Sequence, residues 1–329
     1  MSKKIILSGM RPTGKLHIGH MSVLENWVRL QDEYQCYFMA ADWHALTTSY
    51  DATADIRDNI YEMMIDFMAA GLDPERSVLF VQSQVKAHAE LHLLFSMMTP
   101  LSWLERCPTY KDQMVQLKEQ GKDINTYGFL GYPLLQAADI LIYGASAVPV
   151  GEDQLPHLEM TREVARRFNH LYESKVFPEP KALLSEQTAL LPGIDGRKMS
   201  KSYGNEIAIS ATPEEIWEKV RMMVTDPQRI RKNDPGHPEV CVVYKYQQIY
   251  NREESDGIAD VCRKGEMGCF DCKKRLAAVL DGFLAPVRER RARLAGHPET
   301  VRDVLEDGRI RAMTKAEETM EQVREAMQI

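Results

Sequence analysis

The chain has 329 residues, 44% apolar and 27% charged, which is ordinary for a globular protein and long enough for more than one core. A net charge of -7 argues against coating nucleic acid through bulk charge, though it leaves room for a local basic face. No run is apolar for long enough to span a bilayer, and Met1 to Lys4 lead straight into Ile5-Ile6-Leu7 without a signal-peptide core, so a cytoplasmic location with no membrane partner is expected.

Ile5-Ile6-Leu7 reads as a buried strand, followed by a Gly-punctuated turn over residues 9–20 and an amphipathic helix over residues 21–30. A strand, a turn and a helix entrance of this kind form a seat for phosphate against backbone N–H groups. His17 and His20 bracket Gly19 there, so imidazoles can donate to phosphoryl oxygens while Gly19 lets a flat ring approach the backbone. Residues 36–41 predict a second buried strand ending in Asp42-Trp43-His44. A helix over 55–70 and a strand over 78–81 come next. The alternation predicts an α/β fold with a Rossmann-like, doubly wound parallel sheet, where ligands bind off the carboxyl ends of strands. Gly14 and Gly19 lack the spacing of a dinucleotide fingerprint.

Residues 88–104 are rich in Leu, Met and Phe around Pro100, which fits either core packing or a subunit interface. Residues 111–122 predict a polar helix and loop. In the stretch from Tyr132 to Asp139, Tyr132, Gln136 and Asp139 fall at i, i+4 and i+7, on one face of an otherwise greasy helix. A carboxylate among apolar neighbours needs a partner, so Asp139 reads either as a local cap or as the acceptor for a substrate N–H or O–H in a pocket. A strand over 147–150 runs into Gly151-Glu152-Asp153-Gln154 and a helix bearing His157, Glu159, Arg162 and Arg166; Asp153 suits ribose hydroxyls and Gln154 an amino group. Further on, Lys198-Met199-Ser200-Lys201-Ser202 places two lysines three apart in a loop flanked by Gly193 and Gly196, a cationic pair suited to polyphosphate.

The pattern turns helical from about residue 212, predicting helices over 213–222, 240–250, 269–294 and 298–327. Within it, Cys241, Cys262, Cys269 and Cys272, with the tight Cys269-x-x-Cys272 pair, read as a metal site, structural zinc being the generic choice. Basic residues Arg263, Lys264, Lys273, Lys274, Arg275, Arg288, Arg290, Arg291 and Arg293 cluster around and after them, a stripe that is either solvated or a nucleic-acid footprint.

His17-Ile18-Gly19-His20 and Lys198-Met199-Ser200-Lys201-Ser202 resemble both signatures of the class I aminoacyl-tRNA synthetases. Gly151-Glu152-Asp153-Gln154, His157, Glu159, Arg162, Arg166-Arg167-Phe168-Asn169 and the stretch from Gln136 to Tyr143 resemble the bacterial tryptophanyl-tRNA synthetases. The Tyr132, Gln136 and Asp139 helix also matches the tyrosyl enzymes, which stay an alternative; apolar Leu7, where tyrosyl enzymes usually place a tyrosine, and the Gly-Glu-Asp-Gln helix favour tryptophanyl. A nucleotide-binding paralogue without charging activity is the reading from another class, against which both intact signatures count.

The resemblance implies a catalytic domain over residues 1–204 and a helical anticodon-binding domain over 205–329, with no editing domain. It implies that ATP, Mg2+, L-tryptophan and tRNA(Trp) are bound by a homodimer. His17, His20, Lys198 and Lys201 are then catalytic. ATP falls to Arg11, Thr13, Gly19, Lys111, Asp153, Met199 and Ser200, and tryptophan to Leu7, His44, Tyr132, Gln136, Asp139 and Gln154. For the four cysteines it implies a 4Fe–4S cluster, as in a subgroup of the bacterial tryptophanyl enzymes, with Zn2+ as the alternative.

Overall fold

The computed structural model describes residues 3–107, 110–111, 114, 125–184 and 191–329, without the side chain of Ser202. Most of the polar helix and loop expected over 111–122 lies outside these residues.

Five parallel strands form the sheet: β1 Ile5–Met10, β2 Gln35–Ala40, β3 Ser77–Val81, β4 Ala147–Val150 and β5 Lys181–Leu184, in the order β3-β2-β1-β4-β5. Leu7 registers with Tyr37, and Phe38 with Leu79. Alternation along the strands sends Ile6, Cys36, Phe38 and Leu79 into one core layer and Leu7, Tyr37, Met39 and Phe80 into the other. Both faces are therefore covered, as a parallel sheet requires. On the first face Trp27, from α1 (Met21–Glu33), stacks on Phe38 with ring centroids 4.6 Å apart. On the second Tyr37 stacks on Tyr143 at 4.7 Å. The strand order reverses between β1 and β4, so a crevice opens at their carboxyl ends.

Asp42-Trp43-His44 does not trail off β2 as an irregular edge. It starts a helix, α2 (Asp42–Ser49), separated from β2 by Ala41 alone, so no turn residue marks the boundary. The helix expected over 55–70 is α3 (Ile56–Ala70), ended by Gly71 at φ 115°. The Met-rich stretch divides at Pro100 into α4 (Ala87–Met98) and α5 (Leu101–Glu105). His88, Leu91 and Phe95 face the core, whereas Leu93, Met97 and Leu101 face solvent. After α6 (Tyr127–Leu130) come α7 (Tyr132–Ile142), buried along almost its whole length, and α8 (Leu155–Leu171).

The remaining chain is helical, as expected: α9 (Pro213–Met222), α10 (Val242–Tyr250), α11 (Arg252–Arg263), α12 (Cys269–Ala295) and α13 (Pro298–Met327). Thr212 and Glu215 start α9 with a reciprocal capping box. The polar helix α11 was not anticipated, because only Ser255, Ile258 and Ala259 on it are buried. Helix α12 puts Leu276, Leu280, Leu284 and Val287 into the first core layer, and α13 puts Ala312, Ala316, Met320 and Val323 into the second. Helix α13 lies against the edge strand β3 so closely that a Cβ on Gly308 would overlap the Leu79 carbonyl, while Arg311 donates to the Pro74 carbonyl at 2.9 Å. The basic stripe is partly internal. Arg288 donates to the Ala211 carbonyl, Arg290 to the Ala69 carbonyl, and Arg291 is buried against Glu62 and Asp66, so these three are occupied in holding helices together.

Candidate active site

Beyond β1 the chain turns through Gly14, whose φ of 101° favours glycine, and enters α1 by a short 3-10 turn over Ile18–His20. Residues after the lysine loop clamp this turn from outside: Ile18 N–H donates to the Ile207 carbonyl at 2.8 Å, and Ile209 N–H donates to that of Leu16 at 3.1 Å. The two signature motifs consequently meet. Lys201 Nζ donates to the Thr13 carbonyl at 2.6 Å, and Met199 Sδ lies 3.4 Å from where a Cβ on Gly19 would sit. A side chain at position 19 would also press on the His17 ring at 3.0 Å, so glycine there is what lets both neighbours close in.

The His17 and His20 rings lie 3.8 Å apart, tilted by 34°. His20 Nδ1 faces the His17 backbone, 3.2 Å from its amide nitrogen and 3.3 Å from its carbonyl oxygen. Burial, reinforced by the Lys201 ammonium, pushes His17 down to about 4. Burial also pushes His20 down to about 3, with His17 and Lys201 adding to it. Both imidazoles are uncharged N–H donors at neutral pH, and the positive charge of this corner belongs to the lysines. Lys198 is exposed and Lys201 half-buried.

The loop bearing the lysines is held by Asn205, which is 2% exposed. Its Oδ1 accepts from Ser200 N–H at 2.8 Å, and its Nδ2 donates to Asp195 Oδ1 at 2.8 Å and to the Lys198 carbonyl at 3.1 Å. Gly193 makes room for it, since a Cβ there would overlap the Asn205 amide. Nothing in the sequence pattern singled out Asn205.

Next to this corner, at the carboxyl ends of β1 and β4, lies a cavity of about 410 Å³. Leu7, His44, Tyr132, Gln136, Asp139 and Gln154, all anticipated from the sequence, line it together with Gly9, Arg11, Met39 and Val148. Helix α7 therefore turns the expected face to the cavity. Asp139 is fully buried, and its carboxylate accepts from His88 Nδ1 at 2.6 Å, His44 Nε2 at 2.7 Å and Gln82 Nε2 at 2.8 Å. Burial alone would raise its pKa, but the His44 and His88 hydrogen bonds outweigh it and hold the carboxyl well below the usual range. Beyond Asp139, His88 Nε2 meets the Tyr143 hydroxyl at 2.7 Å. Gln82 and His88 were missed, because their common partner Asp139 lies more than fifty positions on and leaves no local pattern.

A second polar chain crosses the mouth. Tyr132 O–H donates to His157 Nε2 at 2.9 Å, His157 Nδ1 to Gln154 Oε1 at 3.0 Å, and Gln154 Nε2 to Asp153 Oδ2 at 2.9 Å. His157, noted on its helix but not placed in the site, is 2% exposed, and burial pushes it down to about 4. Thr13 lies at the lysine corner, whereas Lys111 is exposed and does not line the cavity.

The four late cysteines gather around one small cavity of about 30 Å³: Cys241 caps α10, Cys262 lies near the end of α11, and Cys269 and Cys272 open α12. Arg229 Nη1 points at Cys262 Sγ and Cys269 Sγ, 3.7 and 3.8 Å away, and Gln247 Nε2 at Cys272 Sγ, 4.0 Å away. Burial, followed by the neighbouring Cys241, pushes the Cys272 thiol up to about 12. Four sulfurs facing one cavity with a guanidinium and an amide aimed at them suit a thiolate-held group. Among the described residues no group of three or more His, Cys, Asp or Glu side chains is arranged to hold a single metal ion.

A parallel sheet with a switch-point crevice, a histidine pair in its first turn and a lysine loop folded onto that turn define a class I aminoacyl-tRNA synthetase. The chain belongs to that class: the family of class I tRNA synthetases for W and Y matches residues 2–285. Within it, the chain is 52% identical to the tryptophan–tRNA ligase of Thermotoga maritima and 47% identical to that of Aquifex aeolicus, each over 98% of this chain and 99% of the relative. Among solved structures, the Campylobacter jejuni tryptophanyl-tRNA synthetase complexed with ADP and tryptophan superposes with a TM-score of 0.87 at 31% identity, covering 99% of this chain and 100% of that one.

Proposed function

We infer that this protein is a tryptophan–tRNA ligase, which activates L-tryptophan with ATP and passes it to tRNA(Trp). The observation that carries the reading is the contact of Lys201 with Thr13, which unites the lysine and histidine motifs at the edge of an amino-acid-sized cavity. In the first step the tryptophan carboxylate attacks the α-phosphate of ATP, forming the adenylate and releasing pyrophosphate. Positioning and charge stabilisation carry such a step, and the protein has little covalent chemistry to do.

Leu7, Met39 and Val148 supply the apolar walls for an indole. Asp139, which lines the cavity with its carboxylate held by His44, His88 and Gln82, accepts the indole N–H. Tyr132, Gln136 and Gln154 meet the ammonium group, with the Tyr132–His157–Gln154 chain fixing how their dipoles point. The neutral His17 and His20 donate to the phosphates, while Lys198 and Lys201 take the charge that builds on the pyrophosphate. Arg11, Thr13, Gly19, Lys111, Asp153, Met199 and Ser200 complete the site for ATP, bound with Mg2+. A site built around a buried hydrogen bond rejects an analogue lacking it by several orders of magnitude.

The four cysteines would hold a 4Fe–4S cluster in preference to Zn2+, since among the described residues no side-chain group is arranged around a single ion; the cluster would staple α10, α11 and α12 together and take no part in the chemistry. Four convergent sulfurs and the Arg229 guanidinium aimed at two of them support this. Anaerobically purified protein is expected to absorb near 400 nm and to lose colour in air, and one zinc per chain without iron would refute the cluster. The exposed Leu93, Met97 and Leu101 support a homodimer, and the helical residues 205–329 would receive the anticodon.

The deciding experiment is ATP–pyrophosphate exchange with tryptophan and with tyrosine, followed by tRNA charging. Exchange driven by tryptophan alone is expected. Equal exchange with tyrosine, or none with either, would overturn the assignment.

A further inference from the structure

Asp66 on α3 belongs to neither signature motif, yet it is fully buried directly beneath the histidine turn. Its Oδ2 accepts from Leu16 N–H at 2.6 Å, and its Oδ1 lies 3.2 Å from Arg291 Nε. Arg291, on α12, is 7% exposed and is paired on its other side with Glu62. The Leu16 peptide is thus held at both ends, its N–H by Asp66 and its carbonyl by Ile209 N–H, immediately before His17 and His20. About two turns earlier on α3, Asn59 Oδ1 lies close to Gly14, as does Lys201 Nζ from the lysine loop.

A buried carboxylate with no cation beside it is costly, and taking the acceptor away would leave the Leu16 N–H without a partner. Asp66 therefore does for the histidine turn what Asn205 does for the lysine loop, and Arg291 is what keeps it charged. Burial pushes Asp66 up to about 6; Arg291, the Leu16 N–H and Lys15 oppose the rise, and Glu62 adds to it.

We propose that Asp66 and Arg291 are positioning residues for ATP: α12 reaches across through Arg291 to hold Asp66, and Asp66 fixes the backbone of Leu16 so that His17 and His20 present their N–H groups to the phosphates. This rests on the assignment of the histidine pair to ATP made above. Neither residue lines the tryptophan cavity, so the two ligands should respond differently.

The test uses full-length Asp66→Ala, Arg291→Met and Arg291→Lys. It measures Mg·ATP affinity by equilibrium dialysis, tryptophan affinity by fluorescence, and kcat and KM in exchange. Losing a buried hydrogen bond to a charged group predicts ATP affinity about tenfold or more weaker in Asp66→Ala and Arg291→Met. Tryptophan affinity should stay within about twofold, and Arg291→Lys should recover most of the loss because a cation still faces Asp66. A purely structural pair would lower thermal stability while leaving the ATP affinity of the folded protein unchanged, or would weaken both ligands together; either result overturns the proposal. Should Asp66→Ala fail to fold, the comparison of Met with Lys at position 291 decides alone. Wild-type protein that binds Mg·ATP but exchanges with neither amino acid would defeat the proposed function and leave this inference standing.

Discussion

Replacing Lys201 with Ala separates the two halves of the site. The ammonium rests on the Thr13 carbonyl at 2.6 Å and next to Gly14, while the backbone of its loop is held independently by Asn205. Lys201 is half-exposed, so deleting that contact should cost less than about 1 kcal/mol of stability, and the loop should keep its shape. The catalytic loss is of another size, since a charge aimed at one that develops in the transition state contributes about 2.7–4 kcal/mol, or roughly 10²–10³ in rate. Among the described residues no lysine lines the tryptophan cavity, so tryptophan affinity should not move. ATP–pyrophosphate exchange measures the first quantity and tryptophan fluorescence titration the second. The pH profile offers a further check: Lys201 adds to the burial that lowers both His17 and His20, so without it both rise toward ordinary values and the acid limb of exchange moves to higher pH. Exchange within about threefold of wild type, or tryptophan affinity falling in step with it, would refute the reasoning.

Asn205→Ala strips the lysine loop of three hydrogen bonds and should lower the thermal midpoint, at about 1–3 kcal/mol per buried group left unpaired; it should raise the KM for ATP and leave tryptophan affinity alone. His17, His20 and His157 are held at about 4, 3 and 4, against about 6.5 when unfolded. The native state thus binds fewer protons than the unfolded one, so their contribution is complete above about pH 6.5 and is lost as pH falls toward 3. Urea unfolding at a series of pH values should show that decline, and a curve flat from pH 7 to 4.5 would contradict it. Gly308→Val should destabilise by well over 1 kcal/mol, because its side chain must displace the Leu79 backbone; an unchanged melting temperature would contradict the packing of α13 on β3.

The alternation of apolar runs was enough to predict the parallel sheet, and the 3.6-residue spacing of Tyr132, Gln136 and Asp139 was enough to predict that one helical face looks into a cavity. The residues that hold the site in shape were not legible. Asn205, Asp66, Gln82 and His88 act through partners elsewhere in the chain, as far off as Arg291 for Asp66, and such pairs leave no periodicity in the local sequence. The basic stripe misled for a related reason: charge counts along a helix do not reveal that Arg291 turns inward to a carboxylate on α3. Helix α2 was hidden because Ala41 alone separates it from β2, with no Gly or Pro to mark the boundary.

The packing of α13 along β3 also sets an order of events during synthesis. Arg311 meets the Ser77 carbonyl 234 positions back along the chain, so the outer strand leaves the ribosome long before the helix that will close it over. At about 5–20 residues per second that delay lasts on the order of ten seconds or more, during which an apolar strand edge is open to other nascent chains. Chaperone dependence should therefore concentrate in the interval before the last helix emerges.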